Sequence, residues 1–349
     1  DMHNALLEKL IKARLVEPIA AEEIPKRFPW YVKLMLAFSG WVGALCILGI
    51  FFFVFSSFIE NTTTNLLTSL VLLFMSFRIL KAPNNEFFEH LALALSFVAQ
   101  ALFTWTLAEL KHQEAMFFAS SLFQALLVFI MPSLFLRICS TIFCAISLSS
   151  VFVLLGAPNI LGTLLIFPMV WVCLNEFKVL EQFHRMKGVM YGLVVSTILL
   201  TGGHYFGMRI EHIFVSSYGT IRELPSWVSH SIYLFSLVTS CWYLLAVHNI
   251  RLNSKLTTLA FLFTALISLL TIHATGIGVG VLLLIVAFAQ SNRVLMGLSV
   301  VSLLVYGSMY YSTMERTLLF KSGVLMLVAL LMLACYLVLN KLLARPEEN

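Results

Sequence analysis

Pro29 to Phe58 reads PWYVKLMLAFSGWVGALCILGIFFFVFSSF, and its last 25 residues, from Leu34 on, carry no charge. At 1.5 Å per residue a helix of this length spans the roughly 30 Å hydrocarbon core of a bilayer with some tilt. Trp30 and Tyr31 suit the headgroup level, and Lys33 can snorkel toward the cytoplasmic side. The stretch therefore reads as a first membrane-spanning helix. Once it is placed, alternation fixes the side of every later loop.

The rest of the composition agrees. The chain has 349 residues, of which 60% are hydrophobic and 11% charged, with a mean hydropathy of +0.95. Soluble chains carry roughly 25% charged residues. The formal charge of +5 is spread over many loops. It is a threading signal, and no nucleic-acid partner is expected. The six cysteines all fall inside apolar runs, and none forms a CxxC pair. They read as small core residues outside any disulfide or zinc framework. No small-residue cleavage site follows the first apolar run, so that run is expected to stay as an anchor.

Residues 1–27 form the one sizeable polar segment. Leu6, Leu7, Leu10, Ile11 and Leu15 fall on one helical face, and Pro18 and Pro25 end the pattern. This predicts a cytoplasmic amphipathic helix lying on the membrane surface, or a docking helix for a partner. Residues 28–349 are predicted to be one transmembrane helical domain. Twelve candidate spans follow: 34–58, 65–80, 88–110, 115–131, 134–155, 159–175, 188–206, 228–248, 256–273, 276–290, 294–311 and 321–341. Of these, 65–80 and 276–290 fall short of the roughly 17 residues a straight span needs. With the N-terminus inside, the inner loops and tails receive 17 Lys and Arg and the outer ones receive 5. That asymmetry is what the positive-inside rule demands of a correct threading. The expected fold is thus an all-α polytopic transmembrane bundle of about 12 spans with both termini cytoplasmic.

Two stretches carry a family likeness. One is Pro29-Trp30-Tyr31-Val32-Lys33-Leu34 with Gly40-Trp41-Val42-Gly43-Ala44-Leu45. The other runs from Gly276 to Phe288 through Asn292-Arg293 and Tyr310-Tyr311-Ser312 to Leu318-Leu319-Phe320-Lys321-Ser322. Together they resemble a group of bacterial multi-span inner-membrane proteins classed as a domain of unknown function. The resemblance implies a bacterial inner membrane. It also implies a possible partner, the GDYXXLXY-motif protein whose gene tends to sit beside members of the group. It implies no reaction and no catalytic residue.

The residues permit only some chemistries. Asp1 is the sole aspartate, which removes aspartate-pair metal sites and a Walker-B aspartate. There is no GxxxxGK[ST] loop and no GxSxG elbow. The glycines of Gly276-Ile277-Gly278-Val279-Gly280 open an apolar span, so they read as close helix packing. Gly188/Gly192 and Gly203/Gly207 have the same four-residue spacing and the same reading. Gln100, Gln124 and Gln290 lie inside spans and are expected to bond across helices. Glu86, Glu89 and His90, at the inner end of the third span, read as a capping group or as the mouth of a path past Gln100.

Polar side chains gather on the outer side. His204, Arg209, Glu211, His212, Arg222, Glu223 and His230 form the densest group, with His273 at a nearby span end. Glu315, Arg316 and Lys321 lie in the last outer turn, beside Tyr310 and Tyr311. Lys321 begins an apolar span, so it should point inward or pair with Glu315 or Glu211. These residues form either a solvated loop with partial ion pairs or an outward-facing site for an ion or polar headgroup. No HxxxH-type pair supports a metal, and no metal or cofactor is expected. Three function classes remain: a secondary transporter or lipid translocator, a non-catalytic subunit that scaffolds a partner, and an enzyme on lipid-linked substrate using His204, His212 or Glu211 as acid or base. Membrane lipids are partners in all three.

Overall fold

The computed structural model describes residues 62–82, 86–109, 112–157, 160–175, 183–202, 226–247, 255–271 and 275–313, with single positions between 32 and 49 and between 319 and 330. Among the described residues every regular element is a helix. In chain order these are α1 (Thr62–Lys81), α2 (Glu86–Ala108), α3 (Gln113–Ile130), α4 (Leu134–Leu154), α5 (Ile160–Leu164), α6 (Ile166–Asn175), α7 (Phe183–Gly202), α8 (Ser226–Val247), α9 (Lys255–Leu270), α10 (Thr275–Ala289) and α11 (Arg293–Thr313). They fall on the second to the eleventh expected spans, with α5 and α6 together filling 159–175. The first and twelfth spans lie mostly outside the described residues, and segment 1–27 lies wholly outside them.

Among the described residues, six helices are long and apolar enough to cross a membrane. The stretches Ile160–Asn175, Met186–Gly202, Thr257–Leu269 and Thr275–Ala289 are apolar but shorter. The expectation of a short second span is corrected, because α1 has 20 residues and begins at three threonines. Their polarity hid the start of the helix from a hydropathy reading. The expectation for 276–290 stands, since α10 has 15 residues.

Local chemistry explains the breaks. Pro132 cannot continue α3 and disfavours helical backbone at Met131, which is extended at ψ 133°. Gly156 takes φ 77° after α4, with Ala157 N donating to Phe152 O at 2.8 Å, a Schellman ending. The turn from α10 to α11 uses the same motif with Ser291 at φ 53°. Asn292 then caps α11, its Oδ1 accepting from Val294 N at 3.1 Å and Leu295 N at 3.3 Å. The interruption between α5 and α6 falls at Leu164 and Leu165. Pro168 has no N–H for the Leu164 carbonyl, and its ring crowds that carbonyl.

Two compact units emerge, 1–100 and 101–349. In the first, α1 is built inside out. Asn65, Ser69 and Ser76 are buried, whereas Leu67, Val71, Phe74 and Met75 are exposed. Ser76 Oγ donates across to Ala92 O on α2 at 2.7 Å. At the basic end of α1, Lys81 Nζ lies 4.7 Å from the centre of the Phe77 ring.

In the second unit α4 packs along both α3 and α7. Ser120 and Ser147 bring their hydroxyls to 3.3 Å across α3 and α4, and Cys144 Sγ donates to Ser121 O at 3.3 Å. Cys144 thus behaves as the small core residue its setting implied. The main core joins α6, α7, α8 and α10 through Met169, Val170, Met190, Val194, Tyr233, Leu237, Val279, Leu283 and Val286. Three of these four, α6, α7 and α10, lie on the stretches that are apolar but short. The longer α3 and α11 expose Phe118, Leu122 and Phe129, and Val301 and Leu304.

Candidate functional site

Glycines set the helix spacing. A Cβ at Gly188 would lie 2.8 Å from Arg137 Cβ, and one at Gly192 would lie 2.5 Å from Thr141 Cβ. With hydrogens only, the backbone of α7 settles onto α4, as the Gly188/Gly192 spacing implied. Arg137 is the buried charge of this end, 6% exposed, and its Nε donates to Met131 O at 2.7 Å. That carbonyl sits in the turn between α3 and α4, where no helix partner serves it.

The glycine run at the start of α10 also packs closely, and it packs against tyrosines. Tyr306 of α11 lies with its ring 3.0 Å from a Cβ built on Gly276, and a Cβ on Gly202 of α7 would fall inside the same ring. The Tyr306 hydroxyl donates to Ile198 O of α7. Beside it, Thr275 Oγ1 donates to Thr201 O at 3.2 Å, tying α10 to α7 directly. On the other side of α10, Tyr233 of α8 is fully buried, with its hydroxyl 2.8 Å from Thr271 Oγ1. A Cβ on Gly278 would displace that hydroxyl and lie 2.6 Å from Thr271 Oγ1. Thr271 Oγ1 in turn donates to Ile267 O at 2.7 Å.

Amides occupy the far end of the same helices. Gln290 Nε2 donates to Cys173 O of α6, as an interior amide bonding across helices should. Its Oε1 is buried with no hydrogen-bond partner among the described residues. Asn175 Nδ2 donates to Trp171 O at 2.8 Å and to the Tyr243 hydroxyl of α8. Gln100 Nε2 donates to Ser96 Oγ, four residues back on its own helix, at 3.1 Å. Gln124 is buried. Of the group near the start of α2, Glu89 is exposed, and His90 is half-buried with Nδ1 unpartnered among the described residues.

These contacts sort helix ends into two sets. The starts of α8, α10 and the ends of α7, α9, α11 meet around Tyr306 and Tyr233. The ends of α6, α8 and α10 meet around Gln290 and Asn175, and the starts of α4 and α7 meet at Arg137. α7, α8 and α10 each contribute opposite termini to opposite sets.

Of the eleven polar candidates on the outer side, the structure describes His230, half-buried on the first turns of α8. His204, Arg209, Glu211, His212, Arg222, Glu223, His273, Glu315, Arg316 and Lys321 lie outside the described residues, as do Gly203 and Gly207. Tyr233, Tyr306, Gly202, Asn175 and Tyr243 escaped the sequence reading. The one available signal was the clustering of Gly202 with Gly203 and of Gly276 with Gly278, which marks a place where something bulky must approach.

Comparison with known proteins gives one match. The chain matches the family described as Domain of unknown function (DUF4401) over residues 29–342. No curated protein and no solved structure matches it.

Proposed function

We infer that this chain, which belongs to the DUF4401 family, is a multi-pass membrane protein that moves a polar solute or a polar lipid headgroup across the bilayer. The exposed surfaces support the membrane. Soluble monomers rarely expose apolar patches beyond a few hundred Å², yet α1, α3, α8 and α11 turn long rows of Leu, Val, Phe and Trp outward while burying serines. The described helices coincide with ten of the expected spans and one apolar run remains at each end, which supports a chain that threads twelve times. The 17-to-5 division of basic residues puts both termini in the cytoplasm. The family likeness favours the inner membrane of a bacterium.

One observation carries the transport reading. One helix of the main core, α10, is short for a membrane. Its 15 residues rise about 22 Å, against a hydrocarbon core of roughly 30 Å. Polar groups flank both of its ends: Thr275, Thr201 and the two tyrosine hydroxyls at one, Gln290, Asn175 and Tyr243 at the other. Between them lies the apolar plug of Val279, Leu283, Val286 and Met190. Two polar recesses separated by a dry plug are what alternating access needs, and short or broken helices at the midplane are a recurrent way to build them. The candidate residues His204, Arg209, Glu211, His212, Arg222, His230 and His273 would flank the outer recess.

The direct test uses the purified protein in liposomes of phosphatidylglycerol and phosphatidylethanolamine carrying a trace of lipid with a fluorescent headgroup. Dithionite bleaches only the outer leaflet. A translocator takes the bleached fraction from about one half toward completion within minutes, whereas bleaching at the protein-free level removes lipid translocation. Thiol labelling then decides whether a solute path remains. In a cysteine-free background, T275C and Q290C should react with a charged, impermeant reagent, each from its own side. Two inert positions would mean a solid bundle, which fits a scaffold for a partner such as the GDYXXLXY-motif protein.

A further inference from the structure

We propose that the outward face of α1 holds an anionic phospholipid, with its phosphate between Arg78 and Lys81 and one acyl chain laid along the helix. Such a site follows from the membrane reading above and stands without transport. Positions 67, 71, 74, 78 and 81 recur at intervals of three and four, so they share one stripe of the helix. Leu67, Val71 and Phe74 form its exposed apolar part, and the exposed Arg78 and Lys81 close it. The opposite stripe, Asn65, Ser69 and Ser76, is buried. From Leu67 to Arg78 the helix rises about 16 Å. That matches the depth of one leaflet, half of a core of roughly 30 Å. On the threading proposed above, the basic end lies in the cytoplasmic leaflet, whose surface potential is negative.

Two observations separate this end from a basic helix end that only reaches for water. First, its charges are not spent inside the protein. Among the described residues Arg78 has no carboxylate within ion-pair reach, and the partner of Lys81 is the Phe77 ring. Glu89, near the start of α2, is exposed and pairs with neither. Second, Lys81 does not snorkel. A lysine seeking the cytoplasm would extend past the end of the helix. Here Nζ lies 4.7 Å from the centre of the Phe77 ring, one turn back toward the bilayer. The ring attracts the ammonium and holds it there. An ammonium turned back toward hydrocarbon needs an anion at that depth, and headgroup phosphates supply one. Arg78 offers a planar fork that donates to two phosphate oxygens at once, and Lys81 adds a point charge. A zwitterionic lipid brings its own cation to the same place. The pair therefore favours a headgroup of net negative charge, such as phosphatidylglycerol.

The test places a reporter beside the stripe. M75C, on the exposed side of α1, is introduced into the full-length protein lacking its six native cysteines. It is labelled with a fluorescent maleimide and reconstituted in phosphatidylcholine vesicles. Phosphatidylglycerol or phosphatidylcholine with a nitroxide on one acyl chain is then added, and quenching gives the relative affinity of the two lipids at that position. A basic residue near an anionic headgroup is worth about fivefold. The parent should therefore favour phosphatidylglycerol about 25-fold, R78Q and K81Q should each leave about fivefold, and R78Q/K81Q should leave no preference. The single variants cover the case in which the double variant fails to fold, shown by loss of a single peak on size exclusion. A label at L304C, on the exposed side of α11, should report a ratio that R78Q/K81Q leaves unchanged. Equal quenching by both lipids in the parent overturns the site and opens the face to a protein partner. A preference that persists in R78Q/K81Q overturns it by assigning the lipid to other basic groups. Relief of quenching by glycerol phosphate in the medium overturns the lipid as occupant in favour of a free phosphate. A label that neither lipid quenches overturns the site together with the membrane reading, whereas the dithionite result bears on transport alone.

Discussion

Alanine at Gly192 should destabilise the bundle by about 2 kcal/mol, at the centre of the range for overpacked cores. The neighbour is a β-carbon, Thr141 Cβ, 2.5 Å from the added atom, with Ile138 O at 3.0 Å. Neither can rotate away, since both are fixed to the α4 backbone. Carbon atoms rest at about 3.5–4.0 Å, so the two helices must part by more than 1 Å or tilt. Either movement also loosens the contact one turn away, where Gly188 meets Arg137 Cβ at 2.8 Å. Thermal unfolding in detergent measures the effect, and T141G in the same protein should recover most of it by removing the obstructing atom. G297A and G307A serve as controls. Nothing lies within 4 Å of either added methyl, so both should be neutral or stabilise by up to about 1 kcal/mol through helix propensity. If G192A were as harmless as G297A, the glycine seam between α4 and α7 would not exist as described.

Gly278→Ala should have a comparable effect for a different reason. The added methyl falls on the hydrogen bond between Tyr233 and Thr271, so it strikes the phenol oxygen and lies 2.6 Å from Thr271 Oγ1. Tyr233 is fully buried in the main core and has no free volume to retreat into. Displacement then strands a phenol hydroxyl in an apolar setting, which costs about 1–3 kcal/mol on top of the steric term. Y233F should be mild alone, because Thr271 keeps its bond to Ile267 O. It should also soften G278A, since the atom most severely struck is gone and the next ring atom, Cζ, lies at 3.2 Å. A double-mutant cycle should return a coupling of about 1–3 kcal/mol. Strict additivity would mean that the methyl and the hydroxyl never compete for the same space.

How much of this was legible in the sequence depends on which physical rule each element obeys. Spans are a matter of length and hydropathy, so α3, α4, α8 and α11 fall within two residues of their expected limits. The Gly188/Gly192 seam was legible because a four-residue glycine spacing places two bare backbone sites on one helix face. Which partner each face meets was not. Tyr306 reaches Ile198, 108 residues away, and an apolar run gives no periodicity to say which side of α11 faces inward. In water, polarity marks the outside of a helix. In lipid both faces are apolar, and interior hydroxyls hide by bonding their own backbone, as Thr141 does to Arg137 O at 2.8 Å and Ser240 to Ser236 O at 2.7 Å. Tyr310 and Tyr311 belong to the stretch that carries the family likeness, while Tyr306, about one turn earlier in the same helix, is the one enclosed. The outer group around His204 and His212 drew on charge density alone, and its geometry lies outside the described residues apart from His230.

Everything said of transport depends on helix ends being sorted to two sides of one membrane. The most direct measurement is therefore sidedness. Single cysteines are placed in the cysteine-free protein at four described positions in the turns of the second unit: Ser133, Ser291, His112 and Leu155. Vesicles of both orientations are treated with an impermeant maleimide. S133C and S291C should react only from the cytoplasmic face, and H112C and L155C only from the opposite face. Reaction of S133C and L155C from the same side would mean that α4 does not cross the membrane. Reaction of S133C and S291C from opposite sides would break the alternation from α4 to α11 on which the two recesses rest.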